Sequence, residues 1–387
     1  MNKTPRKICA VITARPSYSR VKTALQAIKE HPGLELQLVV AGSALLDRYG
    51  TAVHFIEKDG FTIHEKVFMV LEGENKTAMA KTTGLGVMEL ANVFYNLQPD
   101  AVITIADRFE TIATSIAAAY QNIPLVHLQG GEVTGNIDEK VRHANTKLAD
   151  IHFVTSEDAK ARVQKMGEDA AYVFNTGCPS IDIAAQVLQD PTMDFDPVTK
   201  YGGVGGPVSA SGDYLVVMQH PVTTEYHQAK EDVQKTLRVI HELKIPTFWF
   251  WPNVDAGSDG TSNGIRSFRE KYNPQHIRFL KNMEPIDFLK LLLHSNVLVG
   301  NSSVGIRECS FLGVPVVNIG TRQNRRLRGT NVIDVAYDEA SIKEAIASQM
   351  SQPRNSRSAV YGNGDSGKKI ADLLATIDLR FHKTITY

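Results

Sequence analysis

The chain has 387 residues, more than one hydrophobic core ordinarily accommodates, so we expect two domains of similar size. Hydrophobic residues make up 43% and charged residues 22% of the sequence, as in soluble globular proteins. Lysine plus arginine equals aspartate plus glutamate, at 42 each, so no net charge favours nucleic acid or an anionic membrane as a partner.

The sequence also argues against export and against a metal centre. Residues 1–7 are polar, and the apolar run that follows is too short for the core of a secretory leader. No apolar run reaches the roughly 20 residues that span a bilayer. Cys9, Cys178 and Cys309 are far apart and lack the spacing of a zinc site. We therefore predict a cytoplasmic protein with reduced thiols, no metal and no cofactor.

In the first half, short apolar runs alternate with longer segments of helical periodicity. Strands are predicted over residues 8–13, 36–41, 101–105, 125–128, 152–155 and 172–175. Helices are predicted over residues 18–31, 77–97, 109–121, 138–149, 157–167 and 179–188. Continuous apolar strands between helices indicate a parallel sheet covered on both faces.

Residues 190–213 are rich in glycine, proline and serine, which is typical of a mobile linker or surface loop. The α/β alternation then restarts, with strands near 214–218, 247–251, 277–280, 297–299 and 314–319 and helices near 226–243, 260–272, 285–294, 304–312 and 339–350.

The predicted organisation follows from this alternation. It consists of a doubly wound domain over 1–189, a linker over 190–213, a second doubly wound domain over 214–365, and a C-terminal segment, 366–387, whose helix packs back on the first domain. Ligands bind such sheets beyond the carboxyl ends of the strands, so we expect the site in a cleft between the domains.

The stretch 297–308 (VLVGNSSVGIRE) combines a strand, a small polar loop and a helix start near Val304. Unpaired N–H groups and the positive end of the dipole make such a helix start an anion site. Ser302 and Ser303 add hydroxyl donors, and Glu308 can accept hydrogen bonds from a ribose. The alternative is a well-capped helix after a buried strand, since serine is a common N-cap.

Polar side chains follow the predicted strands of the first half. Arg15 follows the first strand and can reach a phosphate, or it is an ordinary surface arginine. Asp107 and Arg108 follow the strand at 101–105, where a helix N-cap is the alternative for Asp107. Glu132 lies in a glycine-rich loop after 125–128 and has no evident packing role.

The helix at 138–149 pairs Asp138 with Arg142, and Glu139 with His143, at a spacing of four. These are either surface ion pairs or a catalytic carboxylate that an arginine holds in place.

In the second half, the loops after three strands carry polar groups. His220 follows the strand at 214–218 and can donate to a phosphate or act as an acid, or it is an ordinary loop histidine. The loop 252–258 follows the next strand, and Arg322 follows the strand at 314–319. We expect all three to face the same cleft.

These motifs resemble the hydrolysing UDP-N-acetylglucosamine 2-epimerases, which include bacterial sialic-acid pathway enzymes and the epimerase half of the bifunctional animal enzyme that makes and phosphorylates N-acetylmannosamine. The matching stretches are DRFE (107–110), GGEVTGNIDEKVRHANTKLA (130–149), QHPVTT (219–224), PNVDAGS (252–258), GNSSVGIRE (300–308) and GVPVVNIGTRQ (313–323). The resemblance implies an α/β chain of the GT-B fold, two Rossmann-like parallel-sheet domains, with UDP held mainly by the second.

The resemblance also implies residue roles. Ser302 and Ser303 would bind the diphosphate, Glu308 the ribose, and the backbone of 281–283, with Met283, the uracil. The remaining nucleotide contacts would come from Arg15, Ser19, Arg108, His220, Asn253 and Arg322. Asp107, Glu132, Asp138 and Arg142 would surround the sugar and, with His220, carry the chemistry.

Four positions depart from the family pattern. Ser17 stands where an acid is usual, Ala44 and Ile105 replace histidines, and Gln129 replaces Glu or His. Glutamine does not exchange protons near neutral pH, so acid–base work would fall on Asp107, Glu132 or Asp138.

The activity implied is conversion of UDP-N-acetylglucosamine and water to N-acetylmannosamine and UDP through a 2-acetamidoglucal, in a homodimer or homotetramer. The alternatives are the same reaction on a related UDP-2-acetamido sugar, a non-hydrolysing epimerase or glycosyltransferase of the same fold, and a UDP-sugar-binding protein without catalysis.

Overall fold

The computed structural model describes residues 4–46, 52–71, 76–133, 137–222, 225–252 and 258–386, and the side chains at positions 76, 137, 138 and 226 lie outside that description. The chain forms two compact units, Met1–Asp182 with Tyr361–Tyr387, and Ile183–Val360. Each unit contains one seven-stranded sheet, which confirms the predicted α/β class. No helix in the described ranges is long and apolar enough to cross a membrane.

The first unit is a doubly wound parallel sheet. Its strands are β1 (Arg6–Ile12), β2 (Leu34–Ala41), β3 (Ile63–Val67), β4 (Ala101–Ile105), β5 (Leu125–Leu128), β6 (Ile151–Val154) and β7 (Val173–Asn175). Its helices are α1 (Arg15–Glu30), α2 (Ala52–Lys58), α3 (Lys76–Leu97), α4 (Thr111–Tyr120), α5 (Ile137–Leu148), α6 (Glu157–Lys165), the start of α7 (Pro179–Gln189), and α15 (Ser366–Thr376). The sheet order is β3-β2-β1-β4-β5-β6-β7.

The second unit repeats this arrangement. Its strands are β8 (Val204–Gly205), β9 (Leu215–Met218), β10 (Thr247–Phe250), β11 (Ile277–Leu280), β12 (Val297–Gly300), β13 (Val316–Ile319) and β14 (Val332–Val335). Its helices are the rest of α7, then α8 (Pro197–Tyr201), α9 (Ala229–Leu243), α10 (Ser258–Tyr272), α11 (Pro285–His294), α12 (Ser303–Ile306), α13 (Glu308–Leu312) and α14 (Glu339–Ser351). The order is β14-β13-β12-β9-β10-β11-β8, and only β8 pairs antiparallel in the described sheet.

The central strands form because their residues are apolar without interruption. Every residue of β4 (AVITI) and β5 (LVHL) is buried, since helices cover both faces of the sheet. The edge strand β3 (IHEKV) exposes its three central residues, so it lacks the apolar run that predicts a strand. This is why β3 was missed, and β14, which is only partly buried at its own sheet edge, was missed for the same reason.

The segment 190–213 differs from the predicted mobile linker, because it carries α8 and β8. The Asp196 side chain caps α8 by accepting a hydrogen bond from Thr199 N, and Pro197 occupies the first turn. A Cβ on Gly205 would lie only 2.3 Å from the carbonyl oxygen of Ile277, so this glycine lets the edge strand approach β11. Residues 183–213 therefore belong to the second unit.

The chain returns to the first unit at Tyr361, and α15 packs on α1 there. A Cβ on Gly367 would lie 2.6 Å from Thr23 O, so the two helices approach closely. Ile370, Ala371 and Leu374 of α15 are part of the core of this unit.

Each sheet has one point at which the strand order reverses. In the first unit it lies between β1 and β4, and in the second between β9 and β12. The loops at the carboxyl ends diverge at such a point and leave room for a ligand. The sheet topology therefore predicts that ligand-binding residues lie in the loops that follow these four strands.

Candidate active site

The loop after β4 places an acid next to a strained residue. Ala106 has a φ of +59°, a conformation that a non-glycine residue adopts at a cost. Its carbonyl oxygen accepts hydrogen bonds from His127 Nε2 at 3.0 Å and Asn145 Nδ2 at 3.4 Å. The next residue, Asp107, accepts a hydrogen bond from the guanidinium of Arg142. Buried neighbours thus fix the backbone that carries this carboxylate.

Arg142 connects two loops at the carboxyl edge of the sheet. Its side chain is 1% exposed, against 17% for Asp107. Besides Asp107, it donates from Nη1 to the carbonyl oxygen of Glu132 at 2.7 Å. The helix predicted over 138–149 is confirmed as α5, and Asp107 is a carboxylate partner of Arg142. The side chain of Asp138 lies outside the described part of the chain.

Glu132 is buried and its carboxylate is bonded to the residue after β6. Its Oε1 accepts from Thr155 Oγ1 at 2.6 Å, and the residue is 6% exposed. The loop needs a glycine beside it, because Gly131 has a φ of +74° and a Cβ there would lie 2.4 Å from Ala159 O. The expectation that Glu132 has no packing role was wrong, since its carboxylate ties the loop to the end of β6.

Arg108 belongs to a second polar cluster at the same edge. Its Nε donates to Glu110 Oε1 at 3.0 Å, and Glu110 is 1% exposed. Ser43 Oγ donates to Thr13 O at 2.9 Å and lies 3.4 Å from Glu110 Oε1. Glu110 and Ser43 together thus connect the loops after β1, β2 and β4. Sequence reasoning missed its role, although it is the last residue of the DRFE motif.

Arg15 and Ser19 lie on α1, directly after β1. Arg15 is half-buried and its guanidinium lies 4.3 Å from the centroid of the Phe55 ring. Ser19 Oγ donates to the carbonyl oxygen of Arg15 at 3.3 Å. Arg15 is therefore held at the start of the helix, next to the strand-order reversal.

The four departures from the family pattern are all buried in the first unit. Ser17, Ala44, Ile105 and Gln129 are 4%, 0%, 1% and 3% exposed. Gln129 has a φ of +64°, and its Nε2 lies 3.6 Å from the Sγ of Cys178. A second strained residue therefore follows β5, next to Ala106 after β4.

His127 supports the β4 loop as a neutral imidazole. It is fully buried, with Nδ1 3.1 Å from Thr146 Oγ1. Burial lowers the pKa of His127 from 6.5 to about 3, although the bond to Ala106 acts in the opposite direction. Sequence reasoning missed it, because a histidine inside an apolar strand carries no signal of its own.

The lowered pKa predicts a pH dependence of stability. Below pH 6.5 the unfolded chain binds a proton that folded His127 does not bind until about pH 3. The free energy of unfolding therefore falls as pH decreases through this window, by up to about 1.4 kcal/mol per pH unit for this residue. In urea unfolding between pH 7.5 and 4.5, His127→Gln should show a shallower dependence than the wild type and than His54→Gln, which changes an exposed helix position. An unchanged slope in His127→Gln would contradict this assignment.

In the second unit, Asn301 joins the loops after β9 and β12. Its Oδ1 accepts from His220 N at 2.7 Å, and its Nδ2 donates to His220 O at 2.8 Å. Its own carbonyl oxygen accepts from Arg322 Nη1 at 3.2 Å and Gln323 Nε2 at 2.8 Å. Asn301 is fully buried, so it is a positioning residue that sequence reasoning did not single out.

Gly300 permits this close approach of the two strand ends. It has a φ of +135°, and a Cβ there would lie 2.1 Å from the carbonyl oxygen of Met218. Any side chain at position 300 would therefore push β12 away from β9 and separate the two loops.

The predicted helix over 304–312 is two short helices. α12 is four residues long, and the backbone breaks at Arg307 (φ −101°, ψ −74°) before α13 begins at Glu308. Ser302 is the N-cap, its Oγ accepting from Val304 N at 3.4 Å. Four peptide units carry a small dipole, so an anion site here would depend on individual N–H and hydroxyl groups more than on a helix dipole.

His220 is 3% exposed, and burial, with a smaller effect of the Arg322 charge, lowers its pKa to about 3. The imidazole is therefore neutral at pH 7. In this form it can donate one hydrogen bond to an anion.

The remaining predicted nucleotide contacts are placed as follows. Ser303 is half-buried at the first position of α12, and Glu308 is half-buried at the first position of α13. Met283 is 7% exposed after β11, beside the exposed Lys281 and Asn282. Asn253 lies outside the described residues.

Comparison with known proteins relates most of the chain to one family of 2-epimerases. The profile of the family described as UDP-N-acetylglucosamine 2-epimerase matches residues 26–375. The chain is 32% identical over 375 residues to the UDP-N,N'-diacetylbacillosamine 2-epimerase (hydrolyzing) of Legionella pneumophila, and the match covers 97% of each chain. It is 28% identical over 362 residues to the UDP-N-acetylglucosamine 2-epimerase of Neisseria meningitidis serogroup B, covering 93% and 92%.

A solved structure shares the fold at lower identity. The crystal structure of UDP-GlcNAc 2-epimerase from Neisseria meningitidis bound to UDP-GlcNAc matches with a TM-score of 0.76 at 18% identity, and the match covers 95% of this chain and 99% of that one. This likeness confirms the predicted GT-B-like fold. Together with the family profile and the relatives at about 30% identity over nearly the full length, it shows that the chain belongs to the UDP-N-acetylglucosamine 2-epimerase family.

Proposed function

We propose that the chain is a hydrolysing 2-epimerase that converts a UDP-2-acetamido sugar and water to UDP and the free sugar epimeric at C2. The observation that carries the proposal is the pairing of Asp107 with the buried Arg142 at the strand-order reversal of the first unit. A carboxylate held by a buried guanidinium, next to a strained backbone, is typical of a catalytic position.

The proposal assigns the leaving group to the second unit. Ser302 and Ser303 follow β12 and His220 follows β9, on the two sides of that sheet's strand-order reversal. Arg322 supplies a positive charge, and its Nη1 donates a hydrogen bond to the carbonyl oxygen of Asn301. Two hydroxyls, backbone N–H groups, a neutral imidazole and a guanidinium form a donor set that suits a diphosphate.

The chemistry begins at C1, because the C2 proton has no adjacent carbonyl and is not acidic. The C1–O bond breaks and its electron pair leaves with UDP, which gives C1 oxocarbenium character and acidifies C2–H. A carboxylate removes that proton and a 2-acetamidoglucal forms. Water then adds to C1 while C2 receives a proton on the opposite face.

We assign the C2 base to Asp107, because it is the carboxylate that the described structure fixes at the strand end. Asp138, one turn before Arg142 on α5, is the alternative. Glu132 is the weaker candidate, since its carboxylate is bonded to Thr155. Arg142 positions the base and does not exchange the proton itself.

The leaving-group assignment predicts that Ser302→Ala combined with Ser303→Ala weakens UDP binding by roughly 10- to 100-fold, because hydrogen bonds to a charged group are lost. Titration calorimetry with UDP measures this directly. Ser267→Ala, which removes an exposed hydroxyl from α10, is the matched control. Affinity that is equal in the double variant and the control would defeat the assignment.

The reaction class is tested by incubating the enzyme with a UDP-2-acetamido sugar and no acceptor. Release of UDP together with free sugar supports hydrolysis. An epimeric UDP-sugar without free sugar would show a non-hydrolysing epimerase, and release that requires an acceptor would show a glycosyltransferase. UDP that raises the melting temperature without turnover of any substrate would show a binding protein.

The sugar itself is the second part of the proposal. We propose N-acetylglucosamine, giving N-acetylmannosamine, on the resemblance of the site motifs. The relative at 32% identity is named for a diacetamido sugar instead, so UDP-N,N'-diacetylbacillosamine is the second candidate. Comparing kcat/KM for the two UDP-sugars decides between them.

A further inference from the structure

The segment after α15 is neither helix nor strand, but hydrogen bonds and an ion pair hold it against the first unit. Arg6 Nη1 donates to the carbonyl oxygens of Leu374 and Ile377 at 2.8 and 2.7 Å, where the segment begins. Near its end, Thr386 N donates to Gly167 O at 3.0 Å. Between these points, Arg380 pairs with Asp169 at 3.0 Å. We call residues 378–386 the C-terminal strap.

Lys383 connects the strap to the end of α5. Its ammonium group donates to the carbonyl oxygens of Ala149 at 2.6 Å and Thr146 at 3.4 Å. These carbonyls lie at the C-terminus of α5, where backbone oxygens lack partners within the helix and the dipole favours a cation. Lys383 therefore caps the helix that carries Arg142.

A buried carboxylate holds Lys383 in place. Glu168 Oε2 accepts from Lys383 at 2.7 Å, and its carboxylate also accepts from Lys147 at 2.6 Å and His152 at 3.0 Å. Burial by itself raises the pKa of Glu168, but the hydrogen bonds from His152, Lys147 and Lys383 outweigh it and lower the pKa to about 2. The anion is 3% exposed, so it depends on its cationic partners.

The end of α5 is connected in turn to the acid–arginine pair. Thr146 Oγ1 lies 3.1 Å from His127 Nδ1, and His127 Nε2 donates to the carbonyl of Ala106, next to Asp107. Thr146 also lies one helical turn after Arg142, and its Oγ1 lies 3.1 Å from the carbonyl oxygen of Arg142. A displacement of the last turn of α5 therefore reaches both members of the pair.

We propose that Lys383 is a positioning residue for the reaction: by capping α5 from the C-terminal strap, it holds Arg142 and Asp107 in their productive geometry. This inference rests on the proposed function. Lys383 contacts the end of α5 and Glu168. It has no chemical role of its own toward the sugar, so its effect is on kcat through the helix and not on nucleotide binding.

The test uses the full-length chain with three substitutions. Lys383→Met removes the charge and the hydrogen bonds but keeps a side chain of similar length. Lys383→Arg keeps a cation that can reach the same acceptors. Lys368→Met is the matched control, because Lys368 pairs with Asp372 on the surface of α15 and contacts neither α5 nor Glu168 in the described structure. For each variant we would measure kcat and KM for UDP release, UDP affinity, and hydrogen exchange of the α5 amides well below the melting temperature.

Lys383→Met should lower kcat by about tenfold or more, since small misplacements of catalytic groups have large effects on rate, while KM and UDP affinity change by less than about twofold. Exchange should accelerate in the last turn of α5, and Lys383→Arg should recover most of the lost rate. The inference is overturned if kcat of Lys383→Met equals that of Lys368→Met. It is also overturned if the decrease in kcat is no larger than the fraction of Lys383→Met that is unfolded.

The same measurements distinguish failure of the proposed function from failure of the inference about Lys383. If the wild type turns over no UDP-sugar, the proposed function fails, and the hydrogen-exchange measurement still decides whether Lys383 holds α5. If the wild type is active and Lys383→Met is equally active with unchanged exchange, only the inference about Lys383 fails.

Discussion

Asp107→Asn is expected to lower kcat for UDP release by about 10²- to 10⁴-fold, the range that a general base contributes. The amide keeps the size of the side chain and can still contact Arg142, but it cannot accept the C2 proton. UDP affinity should stay near the wild-type value, because the diphosphate ligands that we propose lie in the other unit. Steady-state UDP release and titration calorimetry measure the two quantities.

The control for this variant is Asp372→Asn, which removes a carboxylate from a surface ion pair with Lys368 on α15. It should leave kcat unchanged within experimental error, since exposed ion pairs contribute little. Wild-type kcat in Asp107→Asn would assign the base to another carboxylate, with Asp138→Asn as the next variant to measure.

Arg142→Met is expected to affect both stability and activity. The arginine is 1% exposed and its removal leaves Asp107 and the Glu132 carbonyl without this donor. Breaking a buried pair costs about 3–5 kcal/mol, and because Asp107 is partly exposed we expect about 3 kcal/mol of unfolding free energy to be lost. The kcat for UDP release should fall at least as far as in Asp107→Asn, since the base and the Glu132 loop both lose their fixed position.

Urea unfolding at pH 7.5 measures the stability change. Arg238→Met is the matched control, because Arg238 pairs with Glu339 on the surface, with 43% of its side chain exposed. That variant should lose at most about 1 kcal/mol. A loss in Arg142→Met no greater than in the control would show that the Asp107–Arg142 pair does not hold the two loops together.

The fold was predictable where burial is complete. The uninterrupted apolar residues of β4 and β5 predicted both strands with their correct bounds. The edge strands β3 and β14 escaped prediction because most of their residues are at least partly open to solvent. Glycines also misled the prediction at 190–213, since a glycine that allows close backbone approach, such as Gly205, has the same sequence signal as one in a mobile loop.

The positions of Asp107, His220 and Ser302 in loops just after strands were predictable, because an apolar run followed by polar residues marks a strand end. What could not be predicted is the set of buried partners that holds these residues, since it depends on contacts distant in sequence. Asn301 binds the backbone of His220 across 81 residues. The charge of His220 was also unpredictable, because its pKa is set by burial in the folded chain.

The central claim is that one enzyme cleaves C1–O and exchanges the proton at C2. The most direct measurement is incubation in heavy water with UDP-N-acetylglucosamine and, separately, UDP-N,N'-diacetylbacillosamine, followed by NMR and mass spectrometry of the products. The account predicts UDP and a free sugar inverted at C2 that carries one deuterium at that carbon, from at least one of the two substrates. An inverted free sugar without deuterium at C2, or no turnover of either UDP-sugar, would contradict it.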